Sequence, residues 1–142
     1  MCVQFKTGIP TILMTLKGQD EHEKSILLSS HYDVVPVSEE FWDSDPFAAE
    51  MRENGDIKCF GMAYLEAIRK LKCKPLKRTI HLVFTPDEEI GSANGASQLA
   101  KSDLFKSLNV GLCFDEGVPS PSNQLYIFNS ERSTIGTYIR SK

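Results

Sequence analysis

Three short clusters of acids and histidine carry the residue types that could do chemistry here: His31-x-Asp33, Asp87-Glu88-Glu89 and Asp115-Glu116. One imidazole with several carboxylates is a donor set suited to zinc, and clustered carboxylates suit a paired-metal site. Two divalent cations roughly 3.5–4 Å apart can activate a water while polarising a carbonyl oxygen. Glu88 and Glu89 are adjacent, and neighbours in a loop point in different directions. One can therefore bind metal while the other accepts the water proton, and the residues alone leave open which does which. Asp33, two residues from His31, is placed to receive the second ring N–H and fix the imidazole tautomer. Taken singly, each cluster is ordinary. A His-x-Asp pair is commonly a hydrogen-bonded loop, an acidic run is a solvated loop or a helix start favoured by the dipole, and Asp115-Glu116-Gly117 is a turn.

What sets them apart is the element before each. Ser25–Ser30 (SILLSS) is an apolar run of strand length that ends at His31. Thr79–Thr85 (TIHLVFT) reads as a strand buried on both faces, broken by Pro86 just before Asp87, and Val110–Phe114 leads into Asp115. Pro10–Leu16 is a further strand, and Gln124–Phe128 and Ile135–Ile139 are expected as strands near the end of the chain. Met62, Leu65, Ile68 and Leu71 recur every three residues, which predicts an amphipathic helix over Cys59–Lys72, stopped by Pro75. Shorter helices are expected over Ala93–Lys101 and Asp103–Leu108, and Tyr32–Glu50 reads as an irregular loop. Helices alternating with apolar strands predict an α/β fold, a three-layer αβα sandwich with a mostly parallel central sheet. Ligands in such folds gather outside the carboxyl ends of the strands, so all three clusters should meet at one sheet edge. Like charges packed there repel unless something neutralises them, and a divalent cation does so economically.

The 142 residues fit one domain, here expected as a partial metal-binding catalytic domain over 1–142. A net charge of −3 supplies no basic footprint for nucleic acid, and no polybasic stretch marks a membrane surface. The apolar runs are too short to span a bilayer, and the N-terminus lacks the apolar core of a secretory signal. Cys2, Cys59, Cys73 and Cys113 are widely and irregularly spaced, which fits reduced, mostly buried thiols in a cytoplasmic protein. His81 lies within a strand and is expected as a core or edge residue rather than a ligand, His22 in a solvated loop, and the single Trp42 in a packing role rather than at the substrate.

The wording of the clusters resembles a known family. Ser29-Ser30-His31-Tyr32-Asp33-Val34-Val35-Pro36-Val37 is similar to the first metal motif of the zinc-dependent aminoacylase and carboxypeptidase-like metallopeptidases, and Thr85-Pro86-Asp87-Glu88-Glu89-Ile90-Gly91 to their catalytic-base motif. Phe114-Asp115-Glu116-Gly117, Ser130-Glu131-Arg132-Ser133 and Tyr64–Arg69 resemble the aminoacylase branch, and the likeness runs from about Pro10 to Lys142. The resemblance implies a zinc-exopeptidase-like domain of a cytoplasmic homodimer that hydrolyses N-acyl-L-amino acids with two zinc ions. It assigns His31 and Glu116 to one zinc, Glu89 to the other, Glu88 to the general base and Asp33 to the support of His31. The chain also departs from the pattern. Only a short stub precedes Pro10, and neither a second metal-binding histidine nor the dimerisation domain follows Ser133. The family's Gly-rich strand, which ends in an Asp-Met-Lys motif with a metal-bridging Asp, is also shortened. Either Asp56-Ile57-Lys58 replaces that motif and Asp56 is the bridging ligand, or Asp56 belongs to a turn and the bridging residue is missing. The isolated chain is therefore expected not to hydrolyse N-acetyl-methionine appreciably. A non-catalytic remnant and a dipeptidase or deacetylase of the same family are the competing readings.

Overall fold

The structure, a computed structural model, describes residues 1–48, 60–71, 74–117, 121–124, 126 and 140. Among the described residues five strands form one sheet: β1 (Cys2–Lys6), β2 (Ile9–Leu16), β3 (Ser25–His31), β4 (Ile80–Thr85) and β5 (Val110–Phe114). Their order is β1-β2-β4-β3-β5. Helix α1 (Phe60–Lys70) lies between β3 and β4 in sequence, and α2 (Ala96–Lys101) and α3 (Asp103–Ser107) lie between β4 and β5. The expected strands 124–128 and 135–139 fall largely outside the described residues.

The α/β reading holds, but the sheet is mixed rather than mostly parallel. β3 pairs in parallel with β4 and with β5, whereas β1–β2 and β2–β4 are antiparallel. The reason is connection length. A parallel pair needs a long crossover, which α1 supplies between β3 and β4. Between β1 and β2 there is only Thr7-Gly8, with Gly8 at φ +81°, and so short a turn can only reverse the chain. Among the described residues β1 therefore pairs only with β2, at one edge of the sheet. No strand was expected here, yet its side chains alternate, with Val3 and Phe5 half-buried and Cys2, Gln4 and Lys6 exposed.

Leu13, Leu27, Val83, Leu99 and Leu108 form the core, with Phe5, Leu104, Phe105 and Val110 packed against it. Because Leu13 pairs with Val83 across β2 and β4, one sheet face supplies the apolar side chains that α2 and α3 cover. Strand β4 is central, and His81, Leu82, Val83 and Thr85 are all buried, as its continuous apolar run implied. Helix α1 packs on β3. Among the described residues strand β5 lies at the sheet edge with Cys113 exposed on it, and Cys2 on β1 is exposed as well. The expectation of buried thiols thus fails for both described cysteines. Cys59 and Cys73 lie outside the described residues. Among the described residues no helix is long and apolar enough to cross a membrane.

His81 occupies the core as its strand position implied, with its Nδ1 2.9 Å from Thr15 Oγ1. Burial pushes the imidazole below its ordinary range, opposed by a hydrogen bond to the Leu108 backbone. The unfolded chain takes up a proton near pH 6.5 while the folded chain resists it. This contribution to stability is therefore complete above about pH 6.5 and is lost as pH falls from there toward the depressed folded value. Urea unfolding from pH 7.5 to 5 should show a shallower acid decline for His81→Gln than for the native sequence. Equal slopes would remove His81 from this role.

Candidate metal centre

The three parallel strands bring their carboxyl ends side by side, because β5 returns to the far side of β3 from β4. His31 is the last residue of β3 and stands in register with Thr85 at the end of β4. From Thr85 the chain passes through Pro86 and the buried Asp87 into a 3₁₀ turn, Glu88–Ile90, that carries both acids. Leu28 is in register with Phe114, so Glu116 emerges beside Ser30 and His31.

His31 Nδ1 is 2.7 Å from the backbone carbonyl oxygen of Asp33. A carbonyl oxygen only accepts, so Nδ1 carries the hydrogen and the neutral ring keeps its lone pair on Nε2. That nitrogen points into carboxylates, with Glu116 Oε2 at 3.3 Å and Glu88 Oε2 at 3.8 Å. Lone pairs facing lone pairs in a half-buried position require a positive charge between them, either a proton or a cation. Burial is the largest single influence on His31 and disfavours its charge. The Asp33 carbonyl, with the Glu116, Glu88 and Asp33 carboxylates, outweighs it and holds the imidazole above its ordinary range.

His31, Glu88 and Glu89 each offer a ligand atom, and these atoms lie within 4.8 Å of one another. One imidazole nitrogen with carboxylate oxygens fits zinc. Glu116 is outside that triad but reaches the same Nε2. Its other oxygen, Oε1, accepts the Ser30 hydroxyl at 2.6 Å. The predicted residues His31, Glu88, Glu89, Glu116 and Asp33 are thus gathered at one sheet edge. Asp56 lies outside the described residues, as does the segment Ser130–Ser133.

Asp33 differs in detail from expectation. Its backbone carbonyl, rather than its carboxylate, makes the short bond to the ring, and carboxylate Oδ1 is 3.3 Å from Nδ1. The carboxylate accepts instead from the backbone amides of Glu88 at 3.0 Å and Glu89 at 3.1 Å. Tyr32 N–H donates to the Thr85 carbonyl and so continues the β3–β4 pairing one residue past His31.

Two organising residues were not singled out from the sequence. Ser30 aims Glu116, and its signal was the strand alternation that sets it on the face opposite His31. Asp87 is 3% exposed, and its Oδ2 accepts from the Asn94 backbone and side chain. A Cβ at Gly95 would sit 2.5 Å from Pro86 Cδ and 2.6 Å from Asp87 Oδ1, so only glycine admits this close approach. Asp87 was legible only as one acid in a run of three. On the opposite side, Tyr64 of α1 is raised above the ordinary phenol range by burial and by the Asp115 and Glu116 carboxylates. Trp42 is 37% exposed, and His22 is exposed as expected.

This arrangement has relatives. The sequence profile of Peptidase family M20/M25/M40 matches residues 27–127. Aminoacylase-1 of Dictyostelium discoideum is 42% identical, over 96% of this chain and 36% of its own length. Aminoacylase-1 of Sus scrofa is 40% identical over 92% of the chain and 35% of its own length. A probable carboxypeptidase S-like 1 of Dictyostelium discoideum is 36% identical over 77% of the chain and 24% of its own length. The chain thus spans about a third of the length of the aminoacylases it matches.

Proposed function

The chain belongs to the peptidase family M20/M25/M40, and on that footing we propose that its acid and histidine edge is the zinc-binding hydrolytic centre of an aminoacylase-like enzyme. The reaction is cleavage of N-acyl-L-amino acids to a carboxylate and a free amino acid. The observation that carries this reading is the His31 Nε2 lone pair, held among the Glu116 and Glu88 carboxylates by the Asp33 carbonyl behind the ring. His31, Glu116 and Glu89 would hold zinc, joined by Asp56 if Asp56-Ile57-Lys58 takes the place of the family's Asp-Met-Lys motif. Bound zinc would supply an activated water and polarise the acyl carbonyl.

The remaining work belongs to the protein. Glu88, the more exposed carboxylate beside His31, accepts the proton as the water oxygen bonds to the acyl carbon. It then delivers that proton to the leaving nitrogen as the C–N bond breaks, so one water is consumed and the base returns to its starting state. Glu89 stays a metal ligand, and Ser30 keeps Glu116 aimed at the site. Cytoplasmic residence, and homodimeric assembly of the intact protein, belong to the same proposal and rest on the likeness to aminoacylases.

Zinc titration of the purified chain by calorimetry tests the centre. His31→Ala should weaken binding by more than the roughly 10–100-fold that loss of an outer partner costs. Equal zinc affinity in the native and variant chains would overturn the assignment.

A further inference from the structure

The turn that carries both acids is not capped by its own flanking residue. Asp87 precedes Glu88–Ile90, yet its side chain makes no cap hydrogen bond, because the carboxylate is turned inward to Asn94. The first amides of a helical turn have no partner within the turn and must find one elsewhere. Here they find Asp33, 55 and 56 residues away in sequence: Glu88 N–H donates to Oδ1 and Glu89 N–H to Oδ2.

We propose that Asp33 is the positioning residue of the Glu88–Glu89 pair, holding the two backbone amides with one carboxylate and so fixing both acids against His31. A carboxylate has two oxygens at fixed separation, and using one for each consecutive amide sets the direction as well as the distance of the turn. Asp33 also presents its backbone carbonyl to His31 Nδ1. One residue therefore aligns the imidazole from behind and the two acids from below. Glu88 and Glu89 side chains are exposed and have little packing to fix them, so the backbone that carries them has to be held. The catalytic significance of this device rests on the hydrolytic reading above, whereas the hydrogen bonds themselves do not.

The test is nuclear magnetic resonance on the metal-free 142-residue chain, following the Glu88 and Glu89 amides. Bonds from N–H to a charged acceptor should slow their exchange by about 10–100-fold relative to a free peptide and move both protons downfield. His31→Ala should leave this protection in place, because the ring takes no part in these bonds. Asp33→Asn should lose protection at one or both amides, since its NH₂ group cannot accept. The Ser92 amide, which donates to the Asp87 carbonyl, is the internal reference and should stay protected. Loss of protection at Ser92 together with Glu88 and Glu89 in a still-folded Asp33→Asn chain would mean general loosening and overturn the assignment. Free-peptide exchange of the two amides in the native chain would overturn it without any variant, which decides the matter even if Asp33→Asn does not fold. Protected amides in a chain that binds no zinc would instead sink the hydrolase reading and leave Asp33 in its role.

Discussion

Glu88→Gln is expected to lower turnover on the order of 10²–10⁴-fold in a protein that carries this site and hydrolyses an N-acyl-L-amino acid. Glutamine keeps the shape of the side chain and its reach toward His31 but cannot accept the water proton. The loss should fall on kcat with a modest change in KM, because proton transfer is needed in the transition state and not for binding. Glu89→Gln should fail differently. It removes a charged oxygen ligand, so zinc affinity and activity should fall together. The two acids share one short turn and lie close to the same histidine, which makes them a matched pair for this comparison. The measurement is zinc content and steady-state kinetics on both variants. Metal loss in Glu88→Gln with retention in Glu89→Gln would reverse the two roles, and full turnover by Glu88→Gln would remove the general base from the mechanism.

Leu27→Ala is expected to cost about 2–5 kcal/mol of folding free energy. Leu27 is 4% exposed on β3, and it belongs to the cluster with Leu13, Val83, Leu99 and Leu108 that joins the sheet to α2 and α3. Removing it forfeits apolar burial and leaves a cavity that a strand paired on both edges cannot readily close. That is a large share of the stability of any small domain, so the urea midpoint should fall sharply. The same strand ends four residues later at His31, on the same face as Leu27, so zinc binding should respond too. If metal binds only the folded chain, zinc at a hundred times its dissociation constant should restore about 2.7 kcal/mol to either sequence. A midpoint unchanged by the substitution would mean that Leu27 is not part of the core. A variant midpoint indifferent to zinc would mean that the metal does not select the folded site.

The elements around the site were legible because their patterns are local. SILLSS, TIHLVFT and VGLCF are short apolar runs bounded by polar or turn residues, and each appears as a strand within one residue of its expected ends. The three-residue apolar spacing from Met62 to Leu71 likewise marked α1. That each acidic or histidine cluster follows such a strand was enough to place His31, Glu88, Glu89 and Glu116 at one edge, since ligand-bearing loops follow strand ends in this class of sheet. Helix α2 starts later than its composition suggested. Asp87 takes the Asn94 amide and Ser92 sits at φ 56°, so the chain is committed to a turn before the helix begins.

Pairing direction and long-range polar partners depended on the tertiary structure. Nothing local to Ile9–Leu16 states that it runs antiparallel to β4, because alternation fixes which side chains share a face and not which neighbour the backbone meets. For the same reason Cys113 could be placed on a strand but not at the edge of the sheet that the described residues form. Asp33 shows the limit most clearly. The sequence set it beside His31, yet its carboxylate is taken by two amides more than fifty residues away, and its carbonyl serves the ring instead. A residue's type and near neighbours determine what it can donate or accept. Which groups reach it is decided when the strands pair and bring distant backbone amides within 3 Å or so of a carboxylate.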